Sequence, residues 1–257
     1  MKNSSQLKLS IIVASINSDR GIAKTIESIT RQNYENIEVI FIDGGSSDDT
    51  LKIINECTLS DIKVYSEPDE GIADAWNKGL NLCSGDVIAM LNSDDYYDDG
   101  VIEKVMPYFT TSEIPLIGFG DVTLINEESG DRSTVFGKSR GKIGLLNGFG
   151  FLHPSVFFNR KALDSVGMFN KKISVAMDTD WLLRAYFGGV SFKKIPSHTF
   201  MLTGGVSDVN RYTGVGEYLD ALIRQGYSKN YVLLFFAFRF LGHLKGIFTW
   251  GVGHDRG

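Results

Sequence analysis

IEVIFIDGGSSD, residues 37–48, is an apolar run of mainly β-branched residues that breaks into an acid, two glycines, two serines and a second acid. A short apolar run bounded by turn residues reads as a strand covered on both faces. Asp43 follows that strand directly and precedes two glycines, where a backbone can come close to a ligand. The same design recurs on either side. Upstream, Leu9–Ala14 (LSIIVA) is a second such strand, and Gly21–Gln32 spaces Ile22, Ile26 and Ile29 at helical intervals. Downstream come a helix through Leu51, Ile53 and Ile54, a strand Ile62–Tyr65, a helix Ile72–Leu82, a strand Val87–Leu91 and a helix Val101–Phe109. Strand–helix alternation implies parallel strands with right-handed crossovers, an open α/β sheet whose ligands bind outside the carboxyl ends of the strands.

Beyond Thr110 the beat changes. Leu116–Asn126 and Ser133–Phe136 read as a hairpin around Glu127–Arg132, and residues 137–150, rich in glycine and basic residues, read as a mobile loop. A strand Ser155–Asn159, a helix from Arg160, a helix Asp178–Phe187 and a strand Ser191–Ile195 follow. There is no internal repeat and no linker, so the two halves are expected to share one sheet, as one domain plus a tail.

Composition narrows the class. The chain has 257 residues with 26 Lys and Arg against 31 Asp and Glu, a net charge of −5, and 43% of it is hydrophobic. These are ordinary globular values that exclude disorder, collagen-like repeats and a strongly basic nucleic-acid binder. Cys57 and Cys83 match no disulfide framework or zinc spacing and are expected as buried free thiols within helices. Met1–Ser10 lacks the pattern of a signal peptide, so a cytoplasmic setting is the expectation.

Four strand ends carry polar residues that parallel strands would bring to one edge: Ser15-Ile16-Asn17, Asp43–Asp48, Ser66–Asp69 and Asn92-Ser93-Asp94-Asp95. An ionised Asp43 only accepts hydrogen bonds and suits the imino N–H of uracil, thymine or guanine. A helix cap is the competing role, for which Ser46 or Ser47 is better placed. Asp94 or Asp95 could hold Mg²⁺ or Mn²⁺ bridging a diphosphate, because these ions favour a few carboxylates plus phosphate oxygens. Asp95…Asp99-Gly100 begins like an EF-hand loop but fails at Tyr97 and Met106. Neither a G-x-G-x-x-G after the first strand nor a phosphate-binding G-x-x-x-x-G-K-[ST] is present, which disfavours dehydrogenases and P-loop enzymes.

Taken in order, these segments resemble family-two glycosyltransferases of the GT-A fold over roughly residues 8–205. SIIVASIN (Ser10–Asn17) resembles the opening strand, and FIDGGSSDDT (Phe41–Thr50) the nucleotide-binding turn. SEPDEGIADAWNKG (Ser66–Gly79) resembles the approach to the sugar-donor site, and GDVIAMLNSDDYY (Gly85–Tyr97) holds the D-x-D position. HPSVFFNR (His153–Arg160), MDTDWLLR (Met177–Arg184) and TGGVS (Thr203–Ser207) resemble the acceptor-side and catalytic segments and the loop after them. The resemblance is closest to bacterial enzymes of O-antigen, capsule or colanic-acid type that extend surface polysaccharides on a lipid carrier.

The resemblance implies that Ser15, Asn17 and Asp43 hold the nucleoside, while Asp74, Asn77 and Lys78 lie near the ribose or diphosphate, with Ser93 also on the donor side. It implies Asp94 as metal ligand, beside Asp95, and Asp178 as catalytic base. Several positions depart from the family pattern: Ala14 replaces a proline, Gly44 the second acid of the turn, Asn92 the first acid of D-x-D, and Met177 a frequent Glu.

Glycosyl transfer asks for a cation on the leaving diphosphate, a carboxylate on the attacking hydroxyl and an in-line sugar. Asp94 suits the first need and Asp178 the second, although Asp178 and Asp180 also open a helix, where N-terminal capping competes. Trp181 could stack on an acceptor sugar or pack in the core. His153 could touch phosphate or acceptor, or be structural. Lys138, Arg140 and Lys142 could attract an anionic acceptor or simply be solvated.

These readings make an inverting hexosyl- or N-acetylhexosaminyltransferase, using a UDP-, dTDP- or GDP-sugar and Mn²⁺ or Mg²⁺, with a saccharide acceptor on a lipid. A nucleotidyltransferase and a catalytically silent sugar-nucleotide- or partner-binding subunit are the alternatives. The expected organisation is a GT-A catalytic domain over residues 1–223, with its donor half to about 110 and its acceptor half from about 111, then a helical tail over 224–257. Five basic residues against one acid give the tail +4 and leave −9 for residues 1–223. Within 231–250 (YVLLFFAFRFLGHLKGIFTW), Arg239, His243 and Lys245 fall on one helical face, and Phe240, Leu244 and Phe248 on the other. That pattern suits a helix in a membrane interface with Trp250 near the headgroups, or one docked on protein. The expected location is the inner face of the cytoplasmic membrane.

Overall fold

The computed structural model describes residues 6–244, with side chains as far as residue 238. The alternation of the first half is realised by β1 (Leu9–Ser15), α1 (Ile22–Thr30), β2 (Ile37–Asp43), α2 (Thr50–Asn55), β3 (Ile62–Ser66), α3 (Ile72–Leu82) and β4 (Val87–Asn92). A two-residue strand, β5 (Tyr96–Tyr97), follows. The single helix expected at Val101–Phe109 is two short ones, α4 (Val101–Val105) and α5 (Pro107–Thr110). Pro107 has no N–H to continue α4 and instead opens α5.

The second half runs through β6 (Leu116–Ile125), β7 (Arg132–Val135), β8 (Phe157–Asn159), α6 (Arg160–Val166), α7 (Met177–Phe187) and β9 (Ser191–Leu202). It ends in α8 (Val206–Val209), α9 (Arg211–Arg224) and α10 (Lys229–Leu244). The strands build one sheet in the order β3-β2-β1-β4-β8-β6-β9-β5, with β7 paired to β6. β1 to β4 are parallel neighbours, β8 joins antiparallel to both β4 and β6, and β9 lies parallel to β6. Both halves therefore share one mostly parallel sheet.

Successive strand residues feed opposite layers, as a doubly covered strand requires. Ile12, Ile40 and Met90 pack with Trp76, Phe158 and Trp181 on one face. Ile11, Val13, Val39 and Phe41 pack with Ile26, Ile29, Val101 and Phe157 on the other. A Cβ on Gly79 would collide with Ile12, so glycine lets α3 lie close against β1.

Three expectations are corrected. β9 continues past Pro196 because the ladder with β6 shifts register between Phe119 and Asp121, and a bulge accommodates a residue without an N–H. Residues 137–150 are anchored: Leu145 and Leu146 are buried against Leu183, Leu222, Tyr227 and Val232, while the hydroxyls of Tyr218 and Tyr227 donate to the carbonyls of Leu145 and Lys142. The cysteines sit just beyond helix ends, Cys57 half-buried after α2 and Cys83 buried after α3, where burial pushes its thiol pKa up.

α10 is bound to the body through Val232, Phe235 and Phe236. Its outer side exposes Tyr231, Leu233, Leu234 and Phe238. The basic face expected at Arg239, His243 and Lys245, and Trp250, lie outside the described side chains. Among the described residues no helix is long and apolar enough to cross a membrane.

Candidate active site

The carboxyl ends of β1, β2 and β4 meet as register requires, with Ser15 opposite Asp43 and Ala14 opposite Asn92. Asp43 is fully buried. Its carboxylate accepts from Gly45 N at 3.1 Å, Ser46 N at 2.9 Å, Ser66 Oγ at 2.7 Å and the Ser46 hydroxyl. Those bonds correct the simple picture of a free acceptor for a nucleobase: Asp43 first builds the turn, and it reaches a base only if a serine hydroxyl swings away. Asn17 is the one non-glycine residue at positive φ, 47°, among the described residues. Its Oδ1 accepts from Ser47 N at 2.9 Å, which ties the β1 loop to the β2 turn. Ser15 is buried, and its hydroxyl has no partner.

At the end of β4, the Ser93 hydroxyl donates to Ser18 Oγ at 2.7 Å. A Cβ on Gly21 would stand 3.2 Å from Asp94 Cβ, so glycine at the head of α1 lets the β4 turn settle there. Asp94 is half-buried, and burial raises its pKa. No described Lys or Arg pairs with it. Asp95 is 1% exposed, with Oδ2 unpartnered and its pKa pushed well up by burial and by Asp94. Asp95 is therefore inside the fold and favoured as the neutral acid. Of the two expected metal ligands only Asp94 keeps an accessible carboxylate.

Asp74 and Asn77 on α3 face the second half of the chain, whereas Lys78 binds back to the first. The Asn77 amide makes two bonds to the backbone of one residue, Nδ2 to Phe169 O at 3.0 Å and Phe169 N to Oδ1 at 2.9 Å. Lys171 joins Asp74 at 3.1 Å and Glu70 at 3.0 Å. Lys78 bonds Glu67 and the Pro68 carbonyl, both at 3.0 Å, and approaches Asp74 at 3.4 Å. Burial works against the charge of Asp74, but the lysines and the Glu70 N–H win and hold its carboxyl below the usual range. Asp74, Asn77 and Lys171 lock the loop before α7 onto α3.

His153 stands between the halves. Its ring packs on Trp76 with centroids 5.2 Å apart, Nε2 is 3.4 Å from Asn92 Nδ2, and Nδ1 is 3.8 Å from Asp178 Oδ2. An Asn92 N–H aimed at Nε2 leaves the ring proton on Nδ1, the nitrogen facing Asp178. Burial lowers the imidazole pKa, and Asp178 only partly opposes it. Asp178 lies in the first turn of α7, with its side chain 26% exposed and Oδ1 accepting from Thr179 N at 2.6 Å. An apolar pocket lined by Trp76, Met90, His153, Phe169 and Trp181 opens beside it. Trp181 itself is core: it is 2% exposed, donates Nε1–H to Gly167 O at 2.7 Å and packs between Phe158 and Phe169. An exposed stacking face is thus corrected. Asp180, the second acid of the motif, is buried and paired with Arg184 at 3.0 Å and Arg224 at 2.9 Å.

Sequence reasoning passed over Asp69, whose carboxylate occupies the space a side chain at Gly44 would need, 2.6 Å from its Cβ position. It also passed over Lys171, Trp76 and Glu217. Only Asp69 left a signal, the absence of the usual second acid at Gly44.

The carboxyl edge of a mostly parallel sheet is where α/β folds of this kind bind their ligands. The model of glycosyl transferase family 2 matches residues 10–167, and the chain belongs to that family as a glycosyltransferase. A PGL/p-HBAD biosynthesis glycosyltransferase of Mycobacterium bovis is 28% identical over 183 residues, spanning 69% of each chain. An uncharacterised glycosyltransferase of Mycobacterium tuberculosis is 31% identical over 186 residues, spanning 69% of this chain and 68% of its own. The crystal structure of Staphylococcus aureus TarS 1–349 in complex with UDP-GlcNAc shares the fold with a TM-score of 0.63 at 16% identity, over 88% of this chain and 69% of that one. The mannosyltransferase PcManGT of Pyrobaculum calidifontis, in complex with GDP-Man and Mn²⁺, gives 0.65 at 16% identity, over 87% and 66%.

Proposed function

We propose that the protein is an inverting glycosyltransferase that moves a hexosyl or N-acetylhexosaminyl group from a UDP-, dTDP- or GDP-sugar to a hydroxyl of a lipid-linked saccharide in cell-surface polysaccharide synthesis. The observation that carries this reading is a pair of carboxylates without a Lys or Arg partner among the described residues, Asp94 at the end of β4 and Asp178 at the start of α7, with His153 lying between Asn92 of β4 and Asp178. The sugar nucleotides in the two related structures support the donor class.

A divalent cation suits Asp94, because a half-buried carboxylate with no protein cation beside it is stabilised by one. One protein carboxylate plus diphosphate oxygens and water is an ordinary Mg²⁺ or Mn²⁺ set. When bound, the ion supplies neutralisation of charge on the leaving diphosphate. Ser15 and Asn17, with the turn built on Asp43, hold the nucleoside. Asp178 takes the proton of the acceptor hydroxyl as that oxygen bonds to the anomeric carbon and the bond to the diphosphate breaks. One displacement inverts the centre. His153 lies beside Asp178, with Nδ1 3.8 Å from Oδ2.

In this reading the tail brings the enzyme to the inner face of the cytoplasmic membrane. Its net charge of +4 suits anionic lipid, and the exposed Leu233, Leu234 and Phe238 suit the interface. The test is nucleotide release from a panel of UDP-, dTDP- and GDP-sugars with and without Mn²⁺. Release from one nucleotide class, dependent on the cation, is expected; no release from any donor would overturn the reading.

A further inference from the structure

The helix that carries Asp178 begins on a carboxylate supplied from another helix. Glu217 of α9 accepts from Ser174 N at 2.8 Å, Ser174 Oγ at 2.8 Å, Val175 N at 2.9 Å and Ala176 N at 2.8 Å. Three consecutive N–H groups immediately ahead of α7 thus converge on one side chain, and Ala176 is the residue that caps the helix. No side chain of the 174–176 segment caps α7 itself.

The approach is built into α9. Gly214, Glu217, Ala221 and Arg224 fall at i, i+3, i+7 and i+10, one face of the helix. A Cβ on Gly214 would stand 2.9 Å from Val175 Cγ1, so only glycine lets α9 come this close. Ala221 is buried in the same seam. At its far end Arg224 reaches Asp180 Oδ1 at 2.9 Å. α9 therefore grips α7 on both sides of Asp178, by the backbone before it and by the acid two residues after it. Burial disfavours the charge on Glu217, but the backbone and Ser174 bonds outweigh it and hold the carboxyl below the usual range.

We propose that Glu217 is a positioning residue for the glycosyl-transfer step: it fixes the first turn of α7, and so the direction in which Asp178 meets the acceptor hydroxyl. This rests on the assignment of Asp178 as base. Gln in place of Glu would set an NH₂ group against backbone N–H groups, which makes Glu217→Gln a sharp probe without a change of size.

The experiment is steady-state nucleotide release from UDP-GlcNAc and GDP-mannose with Mn²⁺, for wild type, Glu217→Gln, Ser174→Ala, Asp178→Asn and the double variant Asp178→Asn/Glu217→Gln. Asp220→Asn, an exposed acid on the same helix, is the control for charge. The expected result for Glu217→Gln is a kcat lower by about 10–100-fold with the sugar-nucleotide KM within about twofold, since misaimed groups lose rate and not binding. Ser174→Ala shifts kcat in the same direction by less. In the double variant the loss of Glu217 adds nothing to the loss of Asp178, whereas general destabilisation would add. A Glu217→Gln kcat equal to that of Asp220→Asn, or kcat and KM changing together, or additive losses in the double variant, would overturn the inference alone. Wild-type turnover in Asp178→Asn would overturn the base assignment beneath it. Should Glu217→Gln fail to fold, Ser174→Ala with and without Asp178→Asn reads the same coupling.

Discussion

Two buried carboxylate sites at opposite ends of the parallel strands, Glu38 and the Asp94–Asp95 turn, differ in how far the protein itself completes them. At the amino end, Glu38 of β2 is fully buried and fully satisfied: it accepts from Ser10 Oγ at 2.6 Å, Ser84 N at 2.5 Å and Ser84 Oγ at 2.9 Å, with Lys63 at 3.0 Å and Lys8 at 3.1 Å. At the carboxyl end, among the described residues, Asp94 has no basic side chain beside it, Asp95 keeps an unpartnered oxygen, and the hydroxyl of Ser15 has no acceptor. Burial opposes charge at both ends. Hydrogen bonds and lysines overcome it at Glu38, whose pKa falls, and nothing comparable does so at Asp94 and Asp95, whose pKa values rise. The lesson is that the protein finishes Glu38 itself, as it does Asp43, and leaves the Asp94–Asp95 turn without a basic partner among the described residues.

That contrast breaks or sharpens under mutation. The largest effect is expected at the open end: Asp178→Asn should lower kcat for transfer by roughly 10²–10⁴-fold, the range for loss of a general base, with the melting temperature little changed. At the closed end the effect should be on stability alone. Glu38→Ala removes a buried partner from two serines and two lysines and should cost about 3 kcal/mol in denaturant unfolding, while nucleotide binding by the folded fraction persists. The same residue sets an acid signature. Its folded pKa lies below its unfolded value of about 4.3, so its stabilisation is complete above that pH and is lost as pH falls towards the folded value. Glu38→Gln should therefore flatten the decline of stability below pH ~4; an unchanged acid limb would show that Glu38 is not the group responsible. The smallest effect is expected between the ends: Asn77→Ala breaks two bonds to Phe169 and should cost about 1–3 kcal/mol and loosen the loop ahead of α7, read by hydrogen exchange at Phe169.

What could be read from sequence follows the same division between local and distant partners. The strands and helices of the first half are periodic over a few residues, and the Asp43 turn bonds to groups two and three positions on, so both are legible in residues 37–48. The Asn77–Phe169 pair is 92 residues apart, Lys171–Asp74 is 97 and Glu217–Ser174 is 43. No local pattern announces such partners. Asp74 and Asn77 were therefore legible as polar residues near the site but not as the clamp between its halves. Trp181 and Asp180 shared a motif with Asp178, and only packing separates the buried pair from the half-exposed acid. The Pro196 bulge in β9 was hidden for the same reason, since its register depends on β6.

The most direct test of the open end is nucleotide binding with and without the cation. Titration of UDP and of GDP into wild type and Asp94→Ala, each with and without Mn²⁺, reads whether the free carboxylate at the end of β4 is completed by a metal. The account predicts that Mn²⁺ tightens binding of one nucleotide by about tenfold or more in wild type, about 1.4 kcal/mol, and does nothing in Asp94→Ala. Equal tightening in both proteins would contradict it.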